Sequence, residues 1–212
     1  MPRIKVTEDG PYLVSEVQQI IRLSDGKSYE ATGQVALCRC GGSSNKPFCD
    51  GTHLKNGFSG ARDPDRVPDR REDYAAAGIT IHDNRGLCAH AGRCTDGLPA
   101  VFRLGKEPFI DPDGAPADEI ARTIQECPSG ALSYSVADAE HPDRGGEAIA
   151  GFVPSGPYVF RGGAELEGAV LLEGGTTDRF ALCRCGQSKN KPFCSGAHWY
   201  VEFDSDAPAG NP

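Results

Sequence analysis

The chain is poor in several things at once. Over 212 residues it has one Met and one Trp, with an aromatic fraction of 8% and a hydrophobic fraction of 38%, below the apolar share of an ordinary globular domain. No stretch approaches the ~20 apolar residues that a membrane-spanning helix requires, so no membrane partner is expected. Cations are outnumbered, with 22 Lys and Arg against 30 Asp and Glu, a net charge of −8 and no basic run. Phosphate backbones are gripped by clustered cations, which argues against a nucleic-acid partner. The opening MPRIKVTEDG has neither the apolar core of a secretory signal nor the Arg-rich character of a transit sequence, so a cytoplasmic protein is expected.

What the chain does have is Gly (27), Pro (16) and nine Cys. Gly and Pro at this density assign much of the chain to loops, and a core thin for its length usually needs staples or metals. In a reducing compartment, cysteines at fixed spacings point to metal or redox sites over disulfides, and an odd total cannot pair fully.

A repeat organises the sequence. ALCRCGGSSNKPFCDGTH at 36–53 returns as ALCRCGQSKNKPFCSGAH at 181–198, identical at fourteen of eighteen positions at an offset of 145. Upstream, Gly10-Pro11-Tyr12-Leu13-Val14 is echoed by Gly156-Pro157-Tyr158-Val159-Phe160. Apolar runs predict strands over 12–14, 17–23 and 34–37, with Asp25-Gly26 as a hairpin turn, and over 158–161, 169–172 and 179–182. Such short strands make no sheet of strength alone, whereas two repeats pairing with each other would.

Between the copies, 61–73 is charged and Pro-bearing and reads as a linker. A second unit follows over 74–136, with a strand at 79–81, a helix at 118–127 from the spacing of Ile120, Ala121 and Ile124, and a strand at 131–136. The expected organisation is a first repeat at 1–60, the linker, the middle unit at 74–136, a return linker at 137–152, a second repeat at 153–204 and a tail at 205–212.

Within each repeat the spacing is C-x-C-x8-C-x3-H, giving Cys38, Cys40, Cys49 and His53, then Cys183, Cys185, Cys194 and His198. Three thiolates and an imidazole suit a structural zinc ion. Zinc knuckles usually open with C-x2-4-C, however, and a tight C-x-C suits gripping one iron of a two-iron cluster while the third Cys and the His reach the other. Both readings stand on spacing alone.

The string CRCGGSSNKPFCDGTH resembles the CDGSH iron–sulfur family, with Ser43, Pro47, Asp50, Gly51 and Thr52 in register, and with Ser188, Pro192, Gly196 and Ala197 in the second copy. The resemblance implies a [2Fe-2S] cluster held by three Cys and one His in each repeat. It also implies that two copies form an internal pseudo-dimer β-sandwich, so that a monomer with a pseudo-twofold axis is expected. Ser195 stands where the family has Asp, which predicts unequal hydrogen bonding, potential and lability at the two sites. Replacing one thiolate by neutral imidazole removes a negative charge, so the potential should lie between all-Cys ferredoxins and Rieske centres and respond to pH where His titrates. Arg39, Lys46, Arg184, Lys189 and Lys191 lie inside these loops; they are expected on a solvated face, or else near the cofactor as cations that tune it.

The remaining cysteines, Cys88, Cys94 and Cys127, stand in LCAHAGRC and ECPSGAL. On the C-x2-C-x2-C and distant C-P frame of bacterial ferredoxins, Ala91 replaces the middle Cys, so the direct reading is a [3Fe-4S] cluster on three thiolates. His90 is the alternative fourth ligand, for a [4Fe-4S] cluster. C-x-H-x-G-x-C, the following Pro99-Ala100-Val101-Phe102 and CPSGAL together resemble the divergent single-cluster 4Fe-4S ferredoxin-like family over 74–136. His82 and His141 are expected to be solvated or capping residues.

The fold expected is therefore a small, loop-rich α+β protein, two β-rich repeats with a ferredoxin-like α+β insert. All nine cysteines are spoken for, leaving none as a nucleophile. The function expected is electron transfer with a redox partner protein. The alternatives are storage or transfer of clusters to an apo-acceptor, pH or redox sensing, and a structural zinc protein.

Overall fold

A computed structural model of the chain describes residues 1–206; positions 207–212 of the expected tail lie outside the described residues. In the first repeat the strands are β1 (Arg3–Val6), β2 (Tyr12–Ser15), β3 (Gln19–Arg22), β4 (Ser28–Glu30) and β5 (Val35–Leu37). The insert supplies β6 (Arg71–Ala76), β7 (Ile79–Asn84), α1 (Arg93–Gly97), α2 (Ala117–Gln125), β8 (Leu132–Val136) and β9 (Ala139–His141). The second repeat supplies β10 (Ile149–Phe152), β11 (Tyr158–Arg161), β12 (Glu165–Glu167), β13 (Arg179–Leu182) and α3 (Ala197–Tyr200).

The repeats trade strands. One sheet runs β12-β1-β2-β5, with β12 laid parallel on β1 so that Ile4 faces Leu166; the other runs β13-β11-β10-β3-β4, with β10 parallel to β3 so that Gly151 faces Ile21. Each sheet thus takes strands from both repeats, and one apolar core joins Ile4, Tyr12, Val14 and Leu37 to Phe152, Tyr158, Phe160 and Phe180. Tyr12 and Tyr158 meet edge to face, centroids 5.9 Å apart, at its centre.

The insert is an antiparallel meander, β6-β7-β8-β9, with α2 on one face. Ile79 and Ile81 of β7 and Ile120 and Ile124 of α2 build its own core, a match of period-two and helical spacing. Two expectations fail. Residues 169–172 are not a strand: Val170 is exposed and its carbonyl accepts from Arg62, while the strand lies earlier, at β12. The segment 137–152 carries β9 and β10, because β8, β11 and β3 offer ladder partners that a local reading of charge and Gly could not supply. No helix among the described residues is long and apolar enough to cross a membrane.

Candidate metal centres

In each repeat the ligand residues leave a strand, β5 or β13, and enter a loop that folds back so that Cys38 N–H donates to Pro47 C=O and Cys183 N–H to Pro192 C=O. Ser43 and Ser188 brace these loops by donating to Phe48 C=O at 2.6 Å and Phe193 C=O at 2.7 Å. The donors gather in pairs. Cys38 and Cys40 Sγ are 3.9 Å apart, and Cys49 Sγ lies 3.4 Å from His53 Nδ1; the second repeat has the same pairs at 3.9 Å and 3.5 Å. Backbone N–H groups of Gly42 and Gly51 point at Cys40 and Cys49 Sγ, each at 3.4 Å, and Gly196 N–H points at Cys194 Sγ. Such donors favour thiolate. In each C-x-C pair the hydrogen bond between the sulfurs lets one thiol ionise at its neighbour's expense, so the pair titrates as a unit.

The tyrosines of the shared core reach across. Tyr12 OH lies 2.9 Å from Cys183 C=O and 3.0 Å from Pro192 C=O, and Tyr158 OH lies 2.9 Å from Cys38 C=O and 2.8 Å from Pro47 C=O. Each repeat therefore steadies the other's ligand loop. Cys40 and Cys185 also pair directly as an antiparallel bridge. Gly41 and Gly186, both at positive φ, flank it where a Cβ would strike the facing carbonyl group.

Arg39 and Arg184 are not on a solvated face. Both are 2% exposed. Arg39 donates to the carbonyls of Thr7, Glu8 and Gly60, and Arg184 donates to Val153 C=O and lies over the rings of Phe152 and Tyr158. They tie their loops to the sheets, a role for which a planar fork over aromatic rings is suited. Lys46 bonds Ser43 C=O at 2.6 Å, Lys189 lies exposed 4.0 Å from Asp63, and Lys191 stands over Phe58.

The two repeats differ around the third Cys. Asp50 accepts from the N–H and hydroxyl of both Ser44 and Thr52, which holds its carboxyl well below the usual range. Ser195 replaces it, and there the insert closes in. Ala89 packs on Ala181 and Cys194, and Trp199 Nε1–H donates to His90 C=O at 3.2 Å. Asn190 Nδ2 donates to Gly86 C=O at 2.5 Å. Cys194 is buried and its free thiol is pushed up to about 12; Cys49 and His53 are half-buried.

The insert brings Cys88, Cys94 and Cys127 to one cavity of about 310 Å³, with His90 on its wall. Burial pushes Cys94 up to about 11 and raises Cys88 as well, so a metal must displace protons there. Arg85 Nη1 lies 3.7 Å from Cys88 Sγ. His90 is exposed, at φ 53°, with its ring against Gly196. Sequence reading missed Asp83, which lines the same cavity, 4% exposed, bonded to Arg85 through Oδ2 with Oδ1 unpartnered among the described residues. Desolvation pushes its carboxyl up to about 6. It also missed Arg179, buried in β13, whose guanidinium bonds the carbonyls of Ile124, Gln125, Cys127, Leu132 and Pro142 and so fixes the Cys127 turn to the second repeat. A single Arg in a strand carries no local signal of this.

His82 is a correction. It is buried rather than solvated, held between Asp73 Oδ1 at 2.6 Å and Ser135 Oγ at 2.7 Å, because the neighbouring strands β6 and β8 present both partners. His141 is exposed and stacks on Tyr134.

Among the described residues no three Cys, His, Asp or Glu side chains converge on a position for one metal ion. Thiolate and imidazole pairs spread around a space are instead what an iron–sulfur cluster takes, so the residues present fit that cofactor. The family model described as iron-binding zinc finger, CDGSH type, matches residues 9–54 and 155–199, and the model described as divergent 4Fe-4S mono-cluster matches 74–137. The chain belongs to the CDGSH iron-binding family, with a divergent 4Fe-4S mono-cluster domain between its two CDGSH regions. Among particular relatives it is similar to the uncharacterized protein YjdI of Escherichia coli strain K12 and of Escherichia coli O157:H7. Each is 36% identical over 61 residues, 29% of this chain and 80% of the relative. No solved structure matches the chain.

Proposed function

We propose that this iron–sulfur protein is an electron carrier with three centres. A [2Fe-2S] cluster would be held by Cys38, Cys40, Cys49 and His53, a second by Cys183, Cys185, Cys194 and His198, and a third cluster by Cys88, Cys94 and Cys127. The observation that carries the reading is the pairing of donors. A zinc ion needs four donors within ~2.3 Å of one point, and among the described residues no three donors converge in that way, whereas two pairs, Cys–Cys and Cys–His, would leave each of two irons two protein ligands and room for bridging sulfide. When bound, the clusters would supply one-electron redox chemistry; the chain's part would be to orient them and, at the second site, to keep the donors buried. Ala89, next to Cys88, shares a buried cluster with Ala181 and Cys194, and Cys40 is bridged to Cys185, which supports passage of electrons between sites.

The match to a 4Fe-4S mono-cluster model supports a [4Fe-4S] centre in the insert, its fourth position filled from the cavity wall by His90 or Asp83. Three thiolates alone would hold a [3Fe-4S] centre. The crossed Tyr12 and Tyr158 bonds support an internal pseudo-dimer, a monomer by composition. A one-electron redox protein in the cytoplasm is the partner proposed.

Anaerobic iron and sulfide analysis with EPR, as isolated and after dithionite, tests this. Two [2Fe-2S] plus one [4Fe-4S] give about 8 Fe and 8 sulfide with no signal before reduction; a [3Fe-4S] gives about 7 Fe with a signal in the oxidised protein. Zinc in place of iron overturns the reading. Conversion to a three-iron signal in His90→Ala or in Asp83→Ala identifies the fourth ligand.

A further inference from the structure

We propose that the two CDGSH sites divide their labour: the first is an exchange port, from which a [2Fe-2S] unit passes to a thiol-bearing acceptor protein, and the second is a resident centre sealed by the insert. The inference rests on the reading that each repeat holds a [2Fe-2S] cluster.

The ligand sets are identical, so the difference lies in what stands over them. All four donors of the second site are buried, while Cys49 and His53 are half-buried. Equivalent positions make the contrast concrete. A Cβ on Gly196 would fall 2.8 Å from the His90 ring, whereas a Cβ on Gly51 meets nothing within 4 Å among the described residues. Trp199, which follows His198, bonds the insert at His90 C=O, while Leu54, which follows His53, is 81% exposed. Asn190 is buried and bonds Gly86 of the insert; Asn45 is exposed. The lid is the loop that carries Cys88, so loading of the insert stiffens the cover of the second site. At the first site, Asp50 braces the stretch between the second and third Cys from within its own loop, where the second site has ties to the insert.

Transfer from the open site is a ligand exchange without oxidation or reduction. As four thiolates of the acceptor would bond the two irons, the bonds from iron to Cys38, Cys40, Cys49 and His53 would break; three of the four protons leaving the acceptor's thiols would go to the freed thiolates and the fourth to solvent, the imidazole leaving neutral. An incoming chain must approach the third Cys and the His, which only the first site allows.

The test incubates fully loaded protein with a four-cysteine apo-ferredoxin of the [2Fe-2S] type, quenches with iodoacetamide at intervals, and maps alkylated thiols by peptide mass. Alkylation of Cys38, Cys40 and Cys49 should run at least tenfold ahead of Cys183, Cys185 and Cys194. Trp199→Phe combined with Asn190→Ala keeps the ligands but cuts both hydrogen-bond ties to the insert, and should bring the second set to within a few-fold of the first. Leu54→Ala, at the equivalent open position, should change neither. Equal alkylation of both sets in loaded wild-type protein, or a second set still protected in the double variant, overturns the inference. Failure to find two [2Fe-2S] units at the outset would instead sink the reading it rests on.

Discussion

The two CDGSH repeats share fourteen of eighteen loop residues and the same donor pairs to within 0.1 Å, yet they live in different surroundings. The first carries a carboxylate that ties its own loop and faces outward; the second has a Ser there and is tied by another part of the chain. Local motif sets the donors, and neighbours set how accessible and how rigid they are. Substitutions at paired positions can break or sharpen that contrast.

The largest effect is expected at Arg179, whose repeat-one counterpart is the exposed Gln34. Arg179→Met leaves five carbonyls short of a donor. At about 1–3 kcal/mol for a buried group left unsatisfied, with water rescuing some, it should cost on the order of 3 kcal/mol. Gln34→Met should stay within about 0.5 kcal/mol, as surface changes do. Urea unfolding checks both, and equal costs would remove the claim that the insert is anchored through β13.

Next come the crossed tyrosines. Tyr12→Phe should loosen the second repeat's ligand loop and Tyr158→Phe the first's, each by about 1–2 kcal/mol for carbonyls left without a buried donor. Hydrogen exchange at Cys183 N–H and Cys38 N–H reads the effect directly. Loosening within the mutated repeat alone would contradict the crossing.

A smaller effect is expected at Asp50, which is exposed, so its bonds are discounted for solvent. Asp50→Asn should weaken the first loop by about 0.5–1 kcal/mol, and Ser195→Asp should not add that much to a loop already held by the insert. The sign in pH follows from a folded pKa below the ordinary 3.8. The carboxylate's contribution is full above that value and is lost as pH falls through the lower folded one. Cluster bleaching at the first site that changes between pH 5 and 8 must therefore come from another group, and Asp50→Asn should leave the shape of that profile unaltered.

The insert gives the opposite sign. Asp83 titrates near 6 when folded, so its charged form is disfavoured and the metal-free insert should lose stability as pH rises from about 4 to 6. Asp83→Asn should flatten that slope in denaturant titrations of the metal-free protein; an unchanged slope would place the titration elsewhere.

The candidate ligand sets were legible because such sets are spaced by chemistry: ligands must stand at fixed intervals to fold around a cofactor, and all nine cysteines fall in three such sets. Strands marked by a clear apolar run, such as β2 and β11, were legible too. Strands that exist through their partners were not. β1 and β12 are short and charged, and they pair in parallel across 162 residues, with Arg3 bonded to Glu165. Arg39 and Arg184 looked like surface cations because a one-dimensional reading prices a guanidinium by its charge, whereas carbonyls and ring faces brought from distant segments make its burial tolerable.

Sequence by itself determined where the three Cys and His sets stand, that the CDGSH region is duplicated, and that a separate cysteine set lies between the copies. Each of these is a matter of residue type and spacing along the chain. The tertiary structure alone decided that the repeats exchange strands and tyrosines, that the Cys88 loop covers one CDGSH site and leaves the other open, that Asp83 lines the insert's cavity, and that Arg179 pins the insert to the second repeat. Those outcomes depend on which surfaces become neighbours when one core is shared, and burial, unlike spacing, is a property of the neighbours.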